Sequence, residues 1–346
     1  MRPINLRSDT QTLPTPAMLA AIATAELGDD TYDEDPTVAR LEALAAERLG
    51  TEAAMLVLSG QMGNMIALMV HAGPGDEVIL DRDSHVFYYE VGSLASVAGL
   101  CPWPLASRAG CLDPDDVAAA IRGRDLHYPR ARLLCLENTH NRSGGRVVPV
   151  ERHRALCAVA HERGLAVHLD GARIFNAAIA AGVPVTEYTR HVDSVMVCLT
   201  KGLSCPLGSI LAGSREFVQR ADEVRRRLGG GMRQAGVIAA PGIVALETMV
   251  ERLADDHRNA KRLANGLAAV PGLAVDLDAV ETNMVNVDHH GTGLPTDEVL
   301  RRLAAGGVIA SGRPPRHIRL VTNRHHDEAV IDDAIERVRQ ALAGAA

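Results

Sequence analysis

Lys201 is the residue whose type and position most directly suggest chemistry. The chain has 36 basic residues, of which only Lys201 and Lys261 are lysines. Arginine stays protonated, whereas a desolvated lysine can lose its proton and form a Schiff base with a carbonyl. Lys201 follows the apolar run SVMVCLT (194–200), whereas Lys261 lies in a polar helical pattern among arginines. Lys201 is therefore a candidate amine nucleophile; the alternative is a chance lysine at a strand end.

A second candidate is Asp170, in the segment HLDGARIFNA (168–177). It ends another apolar run, where an aspartate often caps the following helix. It could instead be a buried carboxylate that pairs with a protonated ring nitrogen. If this segment is helical, Arg173 lies one turn beyond Asp170. Arg173 could then pair with Asp170 or bind a substrate carboxylate.

The segment SGQMGN (59–64) joins an apolar run to the helical pattern MIALMVHA. Gly60 and Gly63 let the backbone approach a ligand, and free amides at a helix N-terminus favour a phosphate. Any strand–helix turn can contain two glycines, so the segment alone is a weak signal. It matches neither G-x-G-x-x-G nor G-x-x-x-x-G-K-S/T, so the fingerprint of a dinucleotide or ATP site is missing.

His85, in DSHVFYYE (83–90), follows an apolar run and is next to aromatic residues. A lone histidine is usually structural, but at the edge of a site it can stack on a flat ring or transfer a proton. A lysine, an aspartate, a phosphate-binding helix start and this histidine together suggest pyridoxal phosphate. The lysine would hold the cofactor, and the aspartate would keep its pyridine nitrogen protonated.

Alternating strand and helix patterns position these residues. Amphipathic stretches such as residues 150–164 separate apolar runs, a pattern that predicts a largely parallel sheet covered on both faces. Ligands bind such sheets at the carboxyl ends of the strands, which is where each candidate lies. The predicted strands are AAMLVL (53–58), EVILD (77–81), RLLCLE (132–137), LAVHLD (165–170), SVMVCLT (194–200) and SILAG (209–213).

The pattern changes towards the C-terminus. One long helix is predicted over residues 243–270, followed by strands at 283–288 and 317–322 and helices at 294–307 and 327–344. These form a small α/β domain. We therefore predict an N-terminal arm and large cofactor-binding domain over residues 1–245 and a small domain over residues 246–346.

Composition excludes several other classes. The net charge is −7 and no basic block is present, so nucleic acid is not an expected partner. No apolar run reaches membrane-spanning length, and the N-terminus MRPINLRSDT lacks a signal-peptide core, so no membrane association is expected. Six scattered cysteines without a C-x-x-C pair indicate a reduced, cytoplasmic protein rather than a disulfide scaffold or a zinc site.

Beyond these elements, the chain resembles the low-specificity L-threonine aldolases, which are pyridoxal-phosphate enzymes of the aspartate-aminotransferase fold (fold type I). The matching motifs occur in family order over nearly the whole chain. They are LRSDTQTLPT (6–15), GDDTYDEDPT (28–37), SGQMGN (59–64), LENTHN (136–141), HLDGARIFNA (168–177), CLTKG (198–202), GGGMRQAG (229–236), TNMV (282–285) and RLVT (319–322).

The resemblance implies residue roles and no metal. The residues implied to bind pyridoxal 5'-phosphate are Lys201, Asp170, His85, Gly60, Gln61, Arg173 and Arg233. Those implied to bind the substrate carboxylate are Ser8, Arg173 and Arg319. Those implied in catalysis are Lys201, His85 and His127, with His85, His127 or an ordered water as the base. The family often has threonine where Gln61 stands, so backbone amides could make that phosphate contact.

The implied reaction is retro-aldol cleavage of L-threonine or L-allo-threonine to glycine and acetaldehyde. By family, the protein is expected to be a homotetramer. A β-eliminating lyase or a serine-cleaving hydroxymethyltransferase-like enzyme remains an alternative, because the same electron sink serves either. A non-catalytic regulator that binds the cofactor is a further alternative, although it would not need carboxylate clamps.

Overall fold

The computed structural model describes residues 3–123 and 125–343. Its strands are β1 (Ile4–Asn5), β2 (Ala53–Val57), β3 (Glu77–Asp81), β4 (Cys101–Leu105), β5 (Ala131–Glu137), β6 (Ala166–Asp170), β7 (Ser194–Cys198), β8 (Ser209–Gly213), β9 (Met284–Asp288), β10 (Val308–Ile309), β11 (Ser311–Arg313) and β12 (His317–Val321).

Helices alternate with most of these strands. They are α1 (Pro16–Ala23), α2 (Pro36–Leu49), α3 (Gly60–His71), α4 (His85–Tyr88), α5 (Ser93–Ser96), α6 (Pro114–Ala120), α7 (Val150–Glu162), α8 (Ile174–Ala181), α9 (Thr186–Thr189), α10 (Arg215–Arg227), α11 (Gly236–Thr248), α12 (Leu253–Ala268), α13 (Thr296–Ala305) and α14 (Glu328–Leu342). Short 3-10 helices cover Asp9–Gln11, Asp30–Tyr32, Leu277–Ala279 and His290–Thr292.

The chain forms two compact units. The larger unit contains residues 14–143 and 147–250, and the smaller contains residues 1–13, 144–146 and 251–346. The smaller unit holds the antiparallel sheet β11-β12-β9 and the parallel pair β1-β10. The domain boundary predicted after residue 245 stays a prediction.

The larger unit is built on one seven-stranded sheet in the order β2-β8-β7-β6-β5-β3-β4. The pairs from β7 through to β4 are parallel, and β8 runs antiparallel to both β7 and β2. All six strands predicted in this region are present, and the prediction of an α/β fold with a mostly parallel sheet is confirmed.

One strand of this sheet escaped prediction. The segment CPWPL forms β4, which pairs only with β3 and is therefore an edge strand. Its two prolines lack amide protons, so the segment does not resemble a strand. An edge strand tolerates proline because its outer side has no neighbour to receive a hydrogen bond.

The prediction of a single helix over residues 243–270 is wrong. α11 ends at Thr248, a turn covers residues 249–252, and α12 begins at Leu253. α11 is apolar over most of its circumference and packs on α1 and α2, whereas α12 has one apolar stripe and packs on α14. The two helices bury their apolar surfaces in different units, so a continuous helix could not satisfy both.

Helix α3 begins directly after β2 for local reasons. The Ser59 hydroxyl accepts a hydrogen bond from the Met62 amide at 3.2 Å and so caps the helix N-terminus. A Cβ at Gly63 would lie 2.7 Å from Cγ of Met196, so glycine allows α3 to pack directly on β7. The N-terminus of α3 is thereby held at the carboxyl end of the sheet.

Two side chains protect the outer edge of β2. The Leu56 amide donates to Glu42 Oε1 at 2.8 Å, and the Leu56 carbonyl accepts from Arg225 Nη1 at 3.0 Å. These bonds satisfy the Leu56 amide and carbonyl, which would otherwise lack hydrogen-bond partners on the outer side of an edge strand. Burial raises the pKa of Glu42 to about 7, although the bond from Leu56 and the charge of Arg225 oppose the shift.

This pKa predicts a pH-dependent stability. The folded protein binds the Glu42 proton more tightly than the unfolded chain does, so stability falls as pH rises from about 4.5 to 7, by at most about 3 kcal/mol. Glu42→Gln keeps an acceptor for the Leu56 amide and should flatten that fall. Urea denaturation between pH 5 and 8 measures the effect, with the exposed Glu47→Gln on the same helix as control. Parallel stability curves for wild type and Glu42→Gln would contradict it.

Two further predictions concern the state of the cysteines and the length of apolar helices. All six cysteines are free thiols. No helix within the described ranges is both long enough and apolar enough to cross a membrane.

Candidate functional site

The carboxyl ends of β2, β3, β5, β6 and β7 share one edge of the seven-stranded sheet. The last residues of β5 and β6, Glu137 and Asp170, are direct partners in the register. Glu137 ties two loops together at this edge, because its carboxylate accepts from the amides of His85 at 2.6 Å and Asn141 at 2.8 Å. The candidates predicted at the strand ends of this unit are therefore gathered here.

Asp170 is buried, with 2% of its surface exposed. Its Oδ1 accepts from the Ala172 amide at 3.1 Å, and its Oδ2 accepts from Asn64 Nδ2 at 2.9 Å. Residues 172–173 form a turn and α8 begins only at Ile174, so the segment from Asp170 to Arg173 is not helical and the condition for placing Arg173 one helical turn from Asp170 is not met. The Gly171 amide bonds to the Met196 carbonyl of β7, and the Gly171 carbonyl closes the turn by accepting from Ile174 N, both at 2.9 Å. Arg173 itself is buried, with 7% of its surface exposed.

Lys201 lies in the tight loop between β7 and β8. The loop is closed by backbone bonds from Ser204 N to the Lys201 carbonyl and from Cys205 N to the Leu199 carbonyl, both 2.9 Å. Ser204 has a φ of +66°, a left-handed conformation that is uncommon for serine. This loop places Lys201, partly buried, one strand away from Asp170.

His85 faces the same edge and pairs with a buried acid. Its Nδ1 lies 2.9 Å from Oε1 of Glu90, which is fully buried, whereas 35% of the His85 side chain is exposed. Burial lowers the pKa of His85, but the bond to Glu90 and the negative charge of Asp170 outweigh burial and the opposing charge of Lys201. The pKa therefore lies above its ordinary value. Burial raises the pKa of Glu90 despite the bonds from His85 and Asn64.

The first turn of α3 contributes backbone amides. Gly60 packs so closely that a Cβ there would lie 2.7 Å from Sγ of Cys198. The exposed Gln61 side chain donates from Nε2 to the Glu90 carbonyl at 3.4 Å. The twelve-residue α3 thus presents its N-terminus at the sheet edge, where the helix dipole favours an anion.

These residues fit pyridoxal phosphate. The group needs a primary amine, an acid for its ring nitrogen and donors for its phosphate. Lys201, the buried Asp170 and the N-terminus of α3 supply these, and His85 is a flat ring beside them. One nitrogen or oxygen from each of His85, Glu90 and Asp170 lies within 4.8 Å of the others.

Two predicted residues lie on the surface of this unit. The His127 side chain is 85% exposed, and its Nδ1 lies 2.7 Å from Asp125 Oδ1. The Arg233 side chain is 64% exposed; it lies 3.6 Å from Asp29 Oδ1 and donates to Thr31 Oγ1. Within the described ranges, the hydrogen bonds found for His127 and Arg233 do not join them to the hydrogen-bonded cluster of Asp170, Asn64, Glu90 and His85.

The smaller unit brings Ser8 and Arg319 together. Arg319, in β12, donates from Nη2 to the carbonyl of Arg7 at 3.3 Å. The next residue, Ser8, caps the 3-10 helix Asp9–Gln11 by accepting from the Thr10 amide at 3.2 Å. Two residues further along β12, Val321 N donates to the Leu6 carbonyl at 2.7 Å, which holds the same segment against the strand.

Sequence reasoning missed three residues of the cluster, namely Asn64, Glu90 and His168. Each belongs to a segment singled out above, yet none was assigned a role. Their signal is polarity next to apolar residues: His168 interrupts an apolar strand, and Asn64 lies within α3 directly before the apolar run MIALMV. All three are buried.

Most of the chain matches proteins of one known family. Residues 5–290 match the family model of the beta-eliminating lyases. The low-specificity L-threonine aldolase 1 of Arabidopsis thaliana is 43% identical over 337 residues, which cover 96% of this chain and 94% of that protein.

Solved structures share the fold. The threonine aldolase of Leishmania major superposes with a TM-score of 0.86 at 20% identity, covering 99% of this chain and 100% of the other. A structure of SPT with PLP as internal aldimine superposes with a TM-score of 0.75 at 20% identity, covering 98% and 87%. At these identities the likeness establishes fold type I.

Proposed function

Because the chain belongs to the beta-eliminating lyase family, within its low-specificity L-threonine aldolases, we propose that it cleaves L-threonine and L-allo-threonine to glycine and acetaldehyde. It is a carbon–carbon lyase that uses pyridoxal 5'-phosphate. The observation that carries the proposal is the placement of Lys201 and Asp170 on adjacent strand ends, with His85 and the N-terminus of α3 beside them.

Bound pyridoxal phosphate supplies the electron sink that allows a bond at the substrate Cα to break. The protein residues hold and tune that group. Lys201 Nζ would hold it covalently and Asp170 would pair with its ring nitrogen. His85 would lie against its ring, and the amides at Gly60 and Gln61 would bind its phosphate. Arg233 would add a phosphate contact, and its exposure on the protomer is consistent with such a contact to the cofactor of a neighbouring subunit.

Other residues would bind and orient the amino acid. Ser8, Arg173 and Arg319 would hold its carboxylate, since arginine binds carboxylates through two parallel hydrogen bonds. A fixed carboxylate decides which bond at Cα is aligned for cleavage. A base then removes the β-hydroxyl proton; His85, His127 and an ordered water are the candidates.

The products distinguish this function from its alternatives. Retro-aldol cleavage of L-threonine yields glycine and acetaldehyde, whereas β-elimination yields a 2-oxo acid and ammonia. The test is to incubate cofactor-loaded protein with L-threonine, L-allo-threonine and L-serine and to quantify all four products. A 2-oxo acid with ammonia in place of glycine would show elimination, and cleavage of serine alone would indicate a hydroxymethyltransferase-like activity.

The His85–Glu90 pair predicts the position of the acid limb of the pH–rate profile. If His85 is the base, it acts when neutral, so activity rises with pH through its pKa, which lies above the ordinary value. Glu90→Gln removes the negative charge that raises this pKa, so the rise should move to lower pH. Profiles of kcat for wild type, Glu90→Gln and the control His127→Gln measure the shift. Loss of the limb in His127→Gln, with no displacement in Glu90→Gln, would assign the base to His127.

We further propose that the protein is a cytoplasmic homotetramer. Support comes from exposed apolar and aromatic side chains on the protomer, which commonly mark contact surfaces. These are Tyr88, Tyr89, Val91, Leu126 and Tyr128. Light scattering on the purified protein measures the subunit number; a stable monomer would contradict the tetramer.

A further inference from the structure

A continuous chain of side-chain hydrogen bonds runs through the seven-stranded sheet to the two buried carboxylates. It begins on α3, passes through β7 and β6, and returns to α3. Its members, in order, are His71, Ser194, His168 and Asn64, and from Asn64 it branches to Asp170 and Glu90. The last four members are at most 2% exposed. Asp170 and His85 are thus connected through Asn64 and Glu90, since Glu90 Oε1 also lies 2.9 Å from His85 Nδ1.

The carboxylates fix the orientation of the Asn64 amide. Asn64 Nδ2 lies 2.9 Å from Asp170 Oδ2 and 2.9 Å from Glu90 Oε1. A carboxylate accepts hydrogen bonds and an amide nitrogen donates two, so both protons of Asn64 are used. The flipped amide would direct its oxygen at both acids and would require a proton on each. Asn64 Oδ1 therefore faces His168 Nε2, at 3.1 Å.

The same logic fixes the tautomers further along the chain. Asn64 Oδ1 only accepts, so His168 has its proton on Nε2 and accepts at Nδ1 from the Ser194 hydroxyl, at 2.8 Å. The Ser194 oxygen then accepts from His71 Nε2 at 2.8 Å. Burial lowers the pKa of His168 to about 3 and that of His71 to about 4, so both rings are neutral, as this directional order requires.

We propose that Asn64 is a positioning residue that joins Asp170 to the His85–Glu90 pair, its amide nitrogen held by the two acids and its oxygen by His168, which Ser194 holds in turn. A neutral group that donates to both acids keeps two like charges at fixed places with less repulsion than direct contact would cause. Displacement of Asn64 would move the partner of the cofactor ring nitrogen and the histidine beside it together. The inference rests on the proposed function in one respect, namely that Asp170 and His85 face pyridoxal phosphate.

Asn64→Asp tests the donor role with almost no change of shape. The variant replaces two donated hydrogen bonds by a third negative charge. We expect the apoprotein to bind pyridoxal phosphate about tenfold more weakly, or worse. The added charge stabilises the protonated chromophore, so the pH midpoint of the cofactor's visible band should rise by about half a unit or more. The matched control is Asn259→Asp, a buried asparagine of the other unit whose Nδ2 donates to the His326 carbonyl.

If Asn64→Asp does not fold, a second pair of variants tests the positioning role of Asn64. His168→Gln retains a donor for Asn64 Oδ1, whereas His168→Leu removes that donor and leaves the Asn64 amide held on its nitrogen side only. The proposal predicts a displaced midpoint and weaker cofactor binding in His168→Leu, both restored in His168→Gln. Wild-type midpoint and affinity in Asn64→Asp, or equal behaviour of the two His168 variants, would overturn it. Because these readouts need no turnover, failure of wild type to cleave threonine would refute the proposed function and not this inference.

Discussion

Lys201→Arg is expected to abolish threonine cleavage while the protein stays folded. An arginine retains the positive charge but cannot form the bond to the cofactor aldehyde. Loss of a covalent catalytic group costs on the order of a thousandfold or more in kcat. Lys201 is only partly buried in a loop closed by backbone bonds, so the longer side chain can be accommodated. Steady-state rates of acetaldehyde release and thermal melting measure the two halves of this prediction.

The chain offers a matched control, because it contains one other lysine. Lys261 is exposed on α12, and Lys261→Arg should retain full activity. The variant pair thus compares the same chemical change at a site residue and at a surface residue. A Lys201→Arg protein with wild-type turnover would remove the basis for the proposed mechanism.

Asp170→Asn is the second change with a large expected effect. The asparagine has nearly the same shape but only one acceptor oxygen, so it keeps one of the two bonds from Ala172 N and Asn64 Nδ2 and loses the other. It lacks the negative charge that would keep the cofactor ring nitrogen protonated. We expect kcat to fall by about a hundred- to a thousandfold, the usual cost of losing one preorganised electrostatic partner. The visible spectrum of the bound cofactor should change with it, since the ring loses its ionic partner.

Asp193→Asn is the control for that experiment. Asp193 also ties strands together through its carboxylate, which accepts from the Val167 amide at 2.7 Å and pairs with His161. It precedes β7, at the opposite end of that strand from Lys201. Its replacement should cost about 1 kcal/mol of stability without lowering kcat. Equal activity losses in both variants would show that the effect at Asp170 is one of folding.

The sequence was sufficient for six of the seven strands of the central sheet, because these strands are near-continuous apolar runs that each end in a polar segment. It failed where local pattern and tertiary packing disagree. The prolines of β4 conceal a strand that only an edge position permits. The helical spacing of apolar residues continues over residues 243–270, although a turn separates α11 from α12 there. The spacing predicts helix on both sides of the turn, but it does not show that the two helices pack in different units.

Within the site, residues with distinctive chemistry could be predicted, whereas those that support them could not. Lys201 stood out by rarity and Asp170 by its position at a strand end. Asn64 and Glu90 have ordinary polar side chains, and their importance arises from contacts 26 residues apart in sequence. The roles of all the predicted site residues stay predictions, those of Lys201, Asp170 and His85 included.

The measurement that tests the central claim most directly is the location of the covalently held cofactor. Borohydride reduction of the loaded protein makes the bond between pyridoxal phosphate and its lysine permanent, and peptide mass spectrometry then locates it. Since Lys201 and Lys261 are the only lysines, tryptic digestion gives a clear choice. The account predicts the modification on the peptide of residues 191–215, uncleaved at Lys201. Modification at Lys261, or a loaded protein with an unmodified Lys201, would contradict it.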